Sequence, residues 1–309
     1  MRTSVRLRGA EARTANLDPT VIYAYTFFAS LMLSLMVLGC GGPAAGAVPF
    51  QTIENKGSDT LLQVAQRWAE TYMEQNPEIH ISVNGGGSGT GIAALINGTV
   101  DIANASREMK PEEIDSARQR GIEPVQHVVA RDAIAVVVNP ENPVDQLTFQ
   151  QIADIFTGKV VNWREVGGED RPIVVLSRES NSGTYVFFLE EVVQVGAGDP
   201  KALFSPDTLL LLSSEVISRE VEQNPNAIGY DGLGYVTPAQ KTIAVAEAPG
   251  EPFVEPSLET VNQGLYPIAR PLYMYTNGEP TGTIKAYLDW ILSDEGQAVV
   301  REVGFVPLR

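Results

Sequence analysis

Two hydrophobic periodicities alternate along most of the chain. Residues 60–75 place Leu61, Trp68 and other apolar side chains on one face, which is the spacing of an amphipathic helix. Short apolar runs that are typical of strands separate such segments, as at residues 79–83 and 172–176. Because strands and helices alternate, the pattern predicts an α/β fold.

Glycine- and serine-rich turns precede three of the predicted helices. The longest, residues 84–91, joins the strand at residues 79–83 to a helical run, and the others cover residues 56–60 and 178–184. The first backbone N–H groups of a helix lack intrahelical acceptors, and the helix dipole favours a negative charge beside them. Each Ser, Asp or Thr in these turns has an alternative role as an ordinary N-cap. Because the arrangement occurs three times, it predicts one shared anion.

Four polar segments of the chain carry a family resemblance. They are Gly57-Ser58-Asp59-Thr60, Gly86-Gly87-Ser88-Gly89-Thr90-Gly91, Ala105-Ser106-Arg107 and Arg178-x-x-x-Ser182-Gly183-Thr184. Together they resemble, in order, the phosphate-binding protein of the high-affinity phosphate ABC importer. The resemblance implies a two-lobed type 2 periplasmic-binding-protein fold, in which each lobe is a mixed sheet flanked by helices and two crossings form a hinge. It also implies that inorganic phosphate binds in the cleft and passes to a membrane permease, with no enzyme activity and no cofactor.

One apolar run is too long for an ordinary strand. It covers residues 125–138 and is interrupted only by Arg131 and Asp132. We interpret it as a strand that crosses between the lobes near residue 130, and we expect the chain to return near residue 245. The first lobe would then comprise residues 51–130 and 245–309, and the second lobe residues 131–244.

The resemblance places phosphate ligands on both lobes. The expected ligands are Ser58, Asp59, Thr60, Ser88, Gly89, Thr90, Ser106, Arg107, Arg178, Ser182, Gly183 and Thr184. Arg178 supplies a planar fork of donors that suits a phosphate group. Arg107 has an alternative role in a salt bridge between the lobes. Because the anion would touch both lobes, we expect its binding to favour a closed molecule.

Selection against sulfate requires an acceptor for the proton of phosphate. Sulfate carries no proton near neutral pH, so a carboxylate facing it would be a buried repulsive charge. In several relatives an Asp follows the Ala-Ser pair, whereas Arg107 follows Ala105 and Ser106 here. We therefore assign the acceptor to Asp59, for which simple N-capping is the alternative.

The charge of the chain excludes one class of partner. The formal charge is −16, and without residues 1–39 the chain has 18 basic and 36 acidic residues, a charge of −18. A nucleic-acid-binding protein needs a basic stripe, so no nucleic acid is expected. The acidity does not exclude an anionic ligand, because salt screens distant surface charge beyond about 8 Å while the donors of a pocket touch the ligand.

The N-terminus predicts export and attachment to a membrane. Residues 1–39 combine a basic start with an apolar stretch, as an export signal does, and their end resembles a bacterial lipobox with Cys40 as the lipidated residue. Residues 40–50 would then be a lipidated cysteine and a flexible tether. The alternative is an uncleaved membrane anchor. Both alternatives place the protein outside the cytoplasm, at the cell membrane or in the periplasm.

Other functions remain open at this point. Within binding proteins, the alternatives are a receptor for molybdate or sulfate and a phosphate sensor that does not transport. A serine hydrolase is a remote alternative, because Gly86-x-Ser88-x-Thr90 departs from Gly-x-Ser-x-Gly and no spacing ties His80 or His127 to a serine. We expect a monomer.

Overall fold

Helices and strands alternate through the part of the chain that the computed structural model describes, which is residues 51–309. The predicted export signal, Cys40 and the tether lie outside the described residues. The strands are β1 (Gln51–Gly57), β2 (Ile79–Asn84), β3 (Ile102–Ala105), β4 (Pro124–Val138), β5 (Gln146–Thr148), β6 (Val174–Arg178), β7 (Leu209–Leu211), β8 (Ala227–Gly232), β9 (Lys241–Thr242), β10 (Ala244–Ala246) and β11 (Ala269–Asn277). Among residues 51–309, no helix has the length and apolar character that a membrane span requires.

The helices follow the predicted pattern, with one local departure. They are α1 (Leu62–Gln75), α2 (Ser88–Ile96), α3 (Pro111–Gln119), α4 (Phe149–Phe156), α5 (Gly183–Phe188), α6 (Val195–Ala197), α7 (Ser214–Gln223), α8 (Leu258–Asn262), α9 (Gly282–Ile291) and α10 (Asp294–Glu302). A π-helical segment, Leu189–Gln194, joins α5 to α6. The apolar face of α1 is buried as predicted, and the indole N–H of Trp68 donates to the carbonyl oxygen of Gly296 at 2.7 Å.

The main sheet of the described residues has the order β2-β1-β3-β11-β4-β8-β6-β7, with β9 paired to β4, and β5 and β10 form a separate parallel pair. Strands β1, β2 and β3 are parallel, so their carboxyl ends meet at one edge. Strands β6, β7 and β8 form a second parallel set. Between the two sets, β11 and β4 run antiparallel to their neighbours. The polar turns that follow β1, β2, β3 and β6 are thereby brought to the middle of the molecule.

The long crossing strand is present as one element. Strand β4 has 15 residues, of which the first part pairs with β11 and the last part, residues 134–138, pairs with β8. Its burial increases along its length, and Ala130, Ile134 and Val138 are fully buried. A single strand therefore belongs to both halves of the sheet, as the predicted lobe crossing requires.

Two main hydrophobic clusters fill the two halves. One contains Trp68, Tyr287 and Phe305, and the other contains Phe156 and Tyr230. In the second cluster, the rings of Phe188 and Tyr230 stack with their centroids 3.8 Å apart.

The second cluster also contains residues from the segment that precedes β11. Val245, Val261, Tyr266 and Ile268 all pack there. The hydroxyl of Tyr266 donates to the carbonyl oxygen of Ile134 at 2.7 Å, which holds this segment against β4.

Candidate functional site

The turn between β1 and α1 brings three polar residues into the interior. Ser58, Asp59 and Thr60 are all buried. The carboxylate of Asp59 accepts from the backbone N–H of Gly86 at 2.8 Å through one oxygen and from Arg178 at 2.7 Å through the other. The Asp59 side chain therefore joins the glycine-rich turn of residues 84–91 to strand β6 rather than capping its own helix.

Three serine hydroxyls meet beside this turn. Ser88 begins α2, and its hydroxyl oxygen accepts from the backbone N–H of Ser106 at 3.0 Å. The hydroxyl of Ser58 donates to the hydroxyl oxygen of Ser106 at 2.9 Å. Ser88 and Ser106 are fully buried. The carboxyl ends of three parallel strands thus supply one group of hydroxyls, as the sequence predicted.

Arg178 reaches this group from the other half of the sheet. It is the last residue of β6, and its side chain is 1% exposed. Besides the ion pair with Asp59, its guanidinium donates to the hydroxyl of Ser214 at 3.0 Å and to the carbonyl oxygen of Leu212 at 3.1 Å. These partners hold the planar fork in one orientation across the middle of the molecule.

The start of α5 lies directly against the serine hydroxyls. A Cβ atom added to Gly183 would lie 2.4 Å from the hydroxyl oxygen of Ser88 and 2.6 Å from that of Ser106, so a larger residue here would displace these hydroxyls. The hydroxyl oxygens of Thr60 and Thr184 are 2.7 Å apart. Ser182 caps α5, because its hydroxyl oxygen accepts from the backbone N–H of Thr184 at 3.2 Å.

The structure does not bring every expected ligand into this cluster. Arg107 forms a two-pronged ion pair with Glu113 of the neighbouring helix α3, with both N–O distances at 2.8 Å, and this pair lies within one half of the sheet. The backbone N–H of Gly89 donates to the carbonyl oxygen of Asn181, and that of Thr90 donates to the carbonyl oxygen of Gly87. Both backbone N–H groups therefore already donate to carbonyl oxygens of the protein.

Three buried charged residues of the cluster were missed from the sequence. Arg270 on β11 donates to the carboxylate of Asp132 at 3.1 Å, and both side chains are essentially unexposed. Asp231 at the end of β8 is also fully buried, and its carboxylate accepts from the backbone N–H of Gly232 at 2.9 Å. The one available signal was the presence of single charges inside apolar strand patterns, which the interior tolerates only when they are paired.

Burial and charge shift the pKa values of these groups in opposite directions. Burial raises the pKa of Asp231 to about 7, although the positive charge of Arg178 opposes that shift. Burial also raises the pKa of Asp132, against the attraction of Arg270, and burial lowers the pKa of Arg270. The cluster therefore holds two buried guanidinium groups beside carboxyl groups, two of which, Asp132 and Asp231, have raised pKa values.

This arrangement is suited to holding an anion rather than to nucleophilic catalysis. Hydroxyls and guanidinium groups from both halves converge, and these are the donors that an oxyanion needs. Neither histidine approaches the serines: His80 is exposed on β2, and the ring of His127 lies 2.9 Å from the hydroxyl of Thr276. A groove of about 630 Å³, lined by Ser106, Phe187 and Arg270, opens beside the cluster.

Comparison with known proteins decides the family. A sequence model of the PBP superfamily domain matches residues 42–295. The phosphate-binding protein PstS of Pseudomonas aeruginosa is 35% identical over 273 residues, which is 83% of this chain and 83% of that protein. The chain belongs to the substrate-binding proteins of phosphate ABC transporters. Within this family it is also similar to PstS of Bacillus subtilis, at 32% identity over 253 residues, 82% of this chain and 79% of the relative.

Solved structures of this family share the fold. A Clostridium perfringens structure, described as a phosphate ABC transporter substrate-binding protein with bound phosphate, superposes with a TM-score of 0.75 at 34% identity and covers 84% of this chain and 100% of its own. An ABC-type phosphate transport receptor from Vibrio cholerae gives a TM-score of 0.65 at 27% identity, covering 82% and 99%. The chain thus has the two-lobed type 2 periplasmic-binding-protein fold that the four polar segments implied.

Proposed function

We propose that this protein captures inorganic phosphate between its two lobes and delivers it to the permease of an ABC importer. The observation that carries the proposal is the contact of Gly183 with Ser88 and Ser106, where a helix start of one half lies against buried hydroxyls of the other. The names of the relatives, which are those of phosphate-binding proteins, support the same ligand. The chain is accordingly a binding protein rather than an enzyme.

The proposed phosphate contacts are the members of the buried cluster. They are Ser58, Asp59, Thr60, Ser88, Ser106, Arg178, Ser182, Gly183 and Thr184. Arg107, Gly89 and Thr90 are left out, because Arg107 is paired with Glu113 and the backbone N–H groups of Gly89 and Thr90 donate to carbonyl oxygens. Arg178 would supply the main positive charge, and the hydroxyls would satisfy the remaining oxygens of the anion. Asp59 would accept the proton of phosphate.

The proposed mechanism is closure of the two lobes on the anion. A ligand that touches both lobes favours the closed arrangement by its differential contacts with the two states. The crossing strand β4 and the start of β11 provide the two hinge segments, so we infer that the first lobe comprises approximately residues 51–130 and 270–309. The permease would accept the closed form.

Calorimetry with the intact chain tests this function. Phosphate, sulfate and molybdate are titrated separately into protein that has been unfolded, dialysed and refolded to remove any co-purified anion. Saturable binding of phosphate with no heat from the other two anions is the expected result. Preferential binding of sulfate or molybdate would replace phosphate with another oxyanion, and the absence of binding by all three would refute the proposal.

Export and anchoring form a separate part of the proposal. The protein would be held at the outer face of the cell membrane through lipid on Cys40, followed by the tether of residues 40–50. Expression of the Cys40→Ser variant in a bacterial host is expected to move the protein from the membrane fraction to the soluble extracytoplasmic fraction. A variant that stays in the membrane fraction would favour an uncleaved anchor.

A single mass equal to one chain in light scattering would support the expected monomer.

A further inference from the structure

Arg270 lies inside the cluster, although none of the four polar segments contains it. Its guanidinium donates to the carbonyl oxygen of Ser106 at 2.7 Å through Nη1. Through Nη2 it donates to the carboxylate of Asp132 at 3.1 Å and to the hydroxyl oxygen of Thr184 at 2.8 Å. Its Cζ atom also lies 5.3 Å from the centre of the Phe187 ring. These partners come from both halves of the sheet and leave the guanidinium a single orientation.

Arg270 limits the hydrogen-bond directions that are open to two threonines. Nη2 lies 2.8 Å from the hydroxyl oxygen of Thr184 and 3.4 Å from that of Thr60. A guanidinium can only donate, and the two protons of Nη2 go to Asp132 and to the nearer threonine, so the Thr184 oxygen accepts and neither threonine can donate to Arg270. The two hydroxyls also lie 2.7 Å from each other, and one must donate to the other.

One hydroxyl proton of this pair is therefore left over. Two threonines carry two hydroxyl protons, and only one is used between them. Within residues 51–309, the hydrogen bonds of these two hydroxyl oxygens are those with each other and with Arg270. The second proton cannot be donated to the guanidinium, so it is available to an acceptor on a ligand.

We propose that Arg270 is a positioning residue of the phosphate site, which turns a hydroxyl proton of the Thr60–Thr184 pair toward the bound anion. This inference rests on the proposed function. Arg270 acts through the threonines rather than by its own contact with phosphate. It favours ligands that present an unprotonated oxygen at this point, because a charged oxygen is a stronger hydrogen-bond acceptor than a protonated one.

Asp132 has a supporting part in this arrangement. Its carboxylate is fully buried and takes one proton of Nη2, which fixes the guanidinium in the plane that also reaches Thr184. Without Arg270, the Asp132 carboxylate would be a buried charge with no ion-pair partner. The pair therefore keeps a second guanidinium in the cluster without adding net positive charge.

A double-mutant cycle between Arg270→Lys and Thr184→Val tests the proposal, with phosphate affinity measured by calorimetry. Lysine keeps the positive charge but cannot donate to several partners in one plane. We expect each single variant to raise the Kd about 10- to 100-fold, as for the loss of one hydrogen bond to a charged group. The double variant should bind within about threefold of Thr184→Val, because the effect of Arg270 needs the threonine hydroxyl.

The controls separate this inference from the proposed function and from a loss of folding. Arg118→Lys, at an exposed ion pair with Glu123, should bind as the wild type does. If wild-type protein binds no phosphate, the proposed function itself fails. If wild type binds but Arg270→Lys matches it, or if the losses in the cycle multiply, Arg270 is not a positioning residue. If Arg270→Lys shows no cooperative melting transition, Asp132→Asn takes its place in the cycle with Thr184→Val. Wild-type affinity in Asp132→Asn, or losses that multiply in the cycle, would then contradict the positioning role of Arg270.

Discussion

Arg178 and Asp59 form a buried ion pair, with 2.7 Å between Nη2 and Oδ2, that joins the last residue of β6 to the turn after β1. The two residues are 119 positions apart in the sequence. Each is also held by neighbours of its own half, Asp59 by the backbone of Gly86 and Arg178 by Ser214. The pair therefore joins the two halves of the sheet directly beside the buried hydroxyls.

The first prediction concerns the Arg178 side chain. Arg178→Ala should weaken phosphate binding by about 2–5 kcal/mol, because it removes the main positive charge and leaves the Asp59 carboxylate facing the anion. Calorimetry measures the effect. Arg164→Ala, at an exposed ion pair with Asp170, is the matched control and should leave the affinity unchanged. Wild-type affinity in Arg178→Ala would remove this residue from the site.

Adding one methyl group at Gly183 should hinder closure. In Gly183→Ala, the new Cβ would lie 2.4 Å from the hydroxyl oxygen of Ser88, a distance at which one of the two must move. We expect weaker phosphate binding with little change in melting temperature, and a larger radius of gyration in X-ray scattering at saturating phosphate. Ser180→Ala, at an exposed position of the same turn, is the control. Equal compaction of Gly183→Ala and wild type would contradict the prediction.

Asp59 should determine discrimination between phosphate and sulfate. Each carboxylate oxygen of Asp59 makes one hydrogen bond, to Gly86 or Arg178, and retains a second lone pair that can accept from a protonated ligand. Asp59→Asn replaces one acceptor by a donor, so sulfate should begin to compete with phosphate. A competition titration measures this. If sulfate still fails to displace phosphate, another group rejects it.

The raised pKa of Asp231 predicts a pH-dependent stability of the phosphate-free protein. Burial raises this pKa to about 7, whereas an Asp in an unfolded chain titrates at about 3.9. The stabilisation from the bound proton is therefore complete below about pH 4 and is lost as the pH rises through about 7. Asp231→Asn should melt with a flatter pH dependence between pH 5 and 8.

Calorimetric melting of Asp231→Asn and wild type at several pH values measures the difference in melting temperature between them. Asp231→Asn should gain melting temperature relative to wild type at about pH 8 and lose that advantage at about pH 5. Asp207→Asn, at an exposed position, should follow the wild-type curve at every pH. An unchanged slope in Asp231→Asn would show that the carboxyl group does not titrate in this range.

Local sequence signals predicted much of the fold and part of the site. The α/β alternation, the long strand β4 and the three polar turns depend on neighbours in the sequence, and the structure has all of them. Ser58, Ser88 and Ser106 meet because each follows a strand of one parallel set. A rule about the carboxyl ends of strands was sufficient to place them together.

The remainder depends on contacts between distant parts of the chain. Arg270 and Asp132 are 138 positions apart, and nothing near either residue in the sequence shows that the other will neutralise it. The same limit applies to the packing of the segment between residues 245 and 268. Tyr266 remains with the second half because its hydroxyl reaches Ile134, a partner that periodicity alone cannot identify.

The unbroken backbone of β4 has a consequence for how the molecule unfolds. Its 15 residues contribute to both hydrophobic clusters, so neither half can lose its strand without taking backbone hydrogen bonds from the other. Melting should therefore be one cooperative transition rather than two. Excision of either lobe as an independent fragment would leave an open sheet edge, and such a fragment is expected to aggregate.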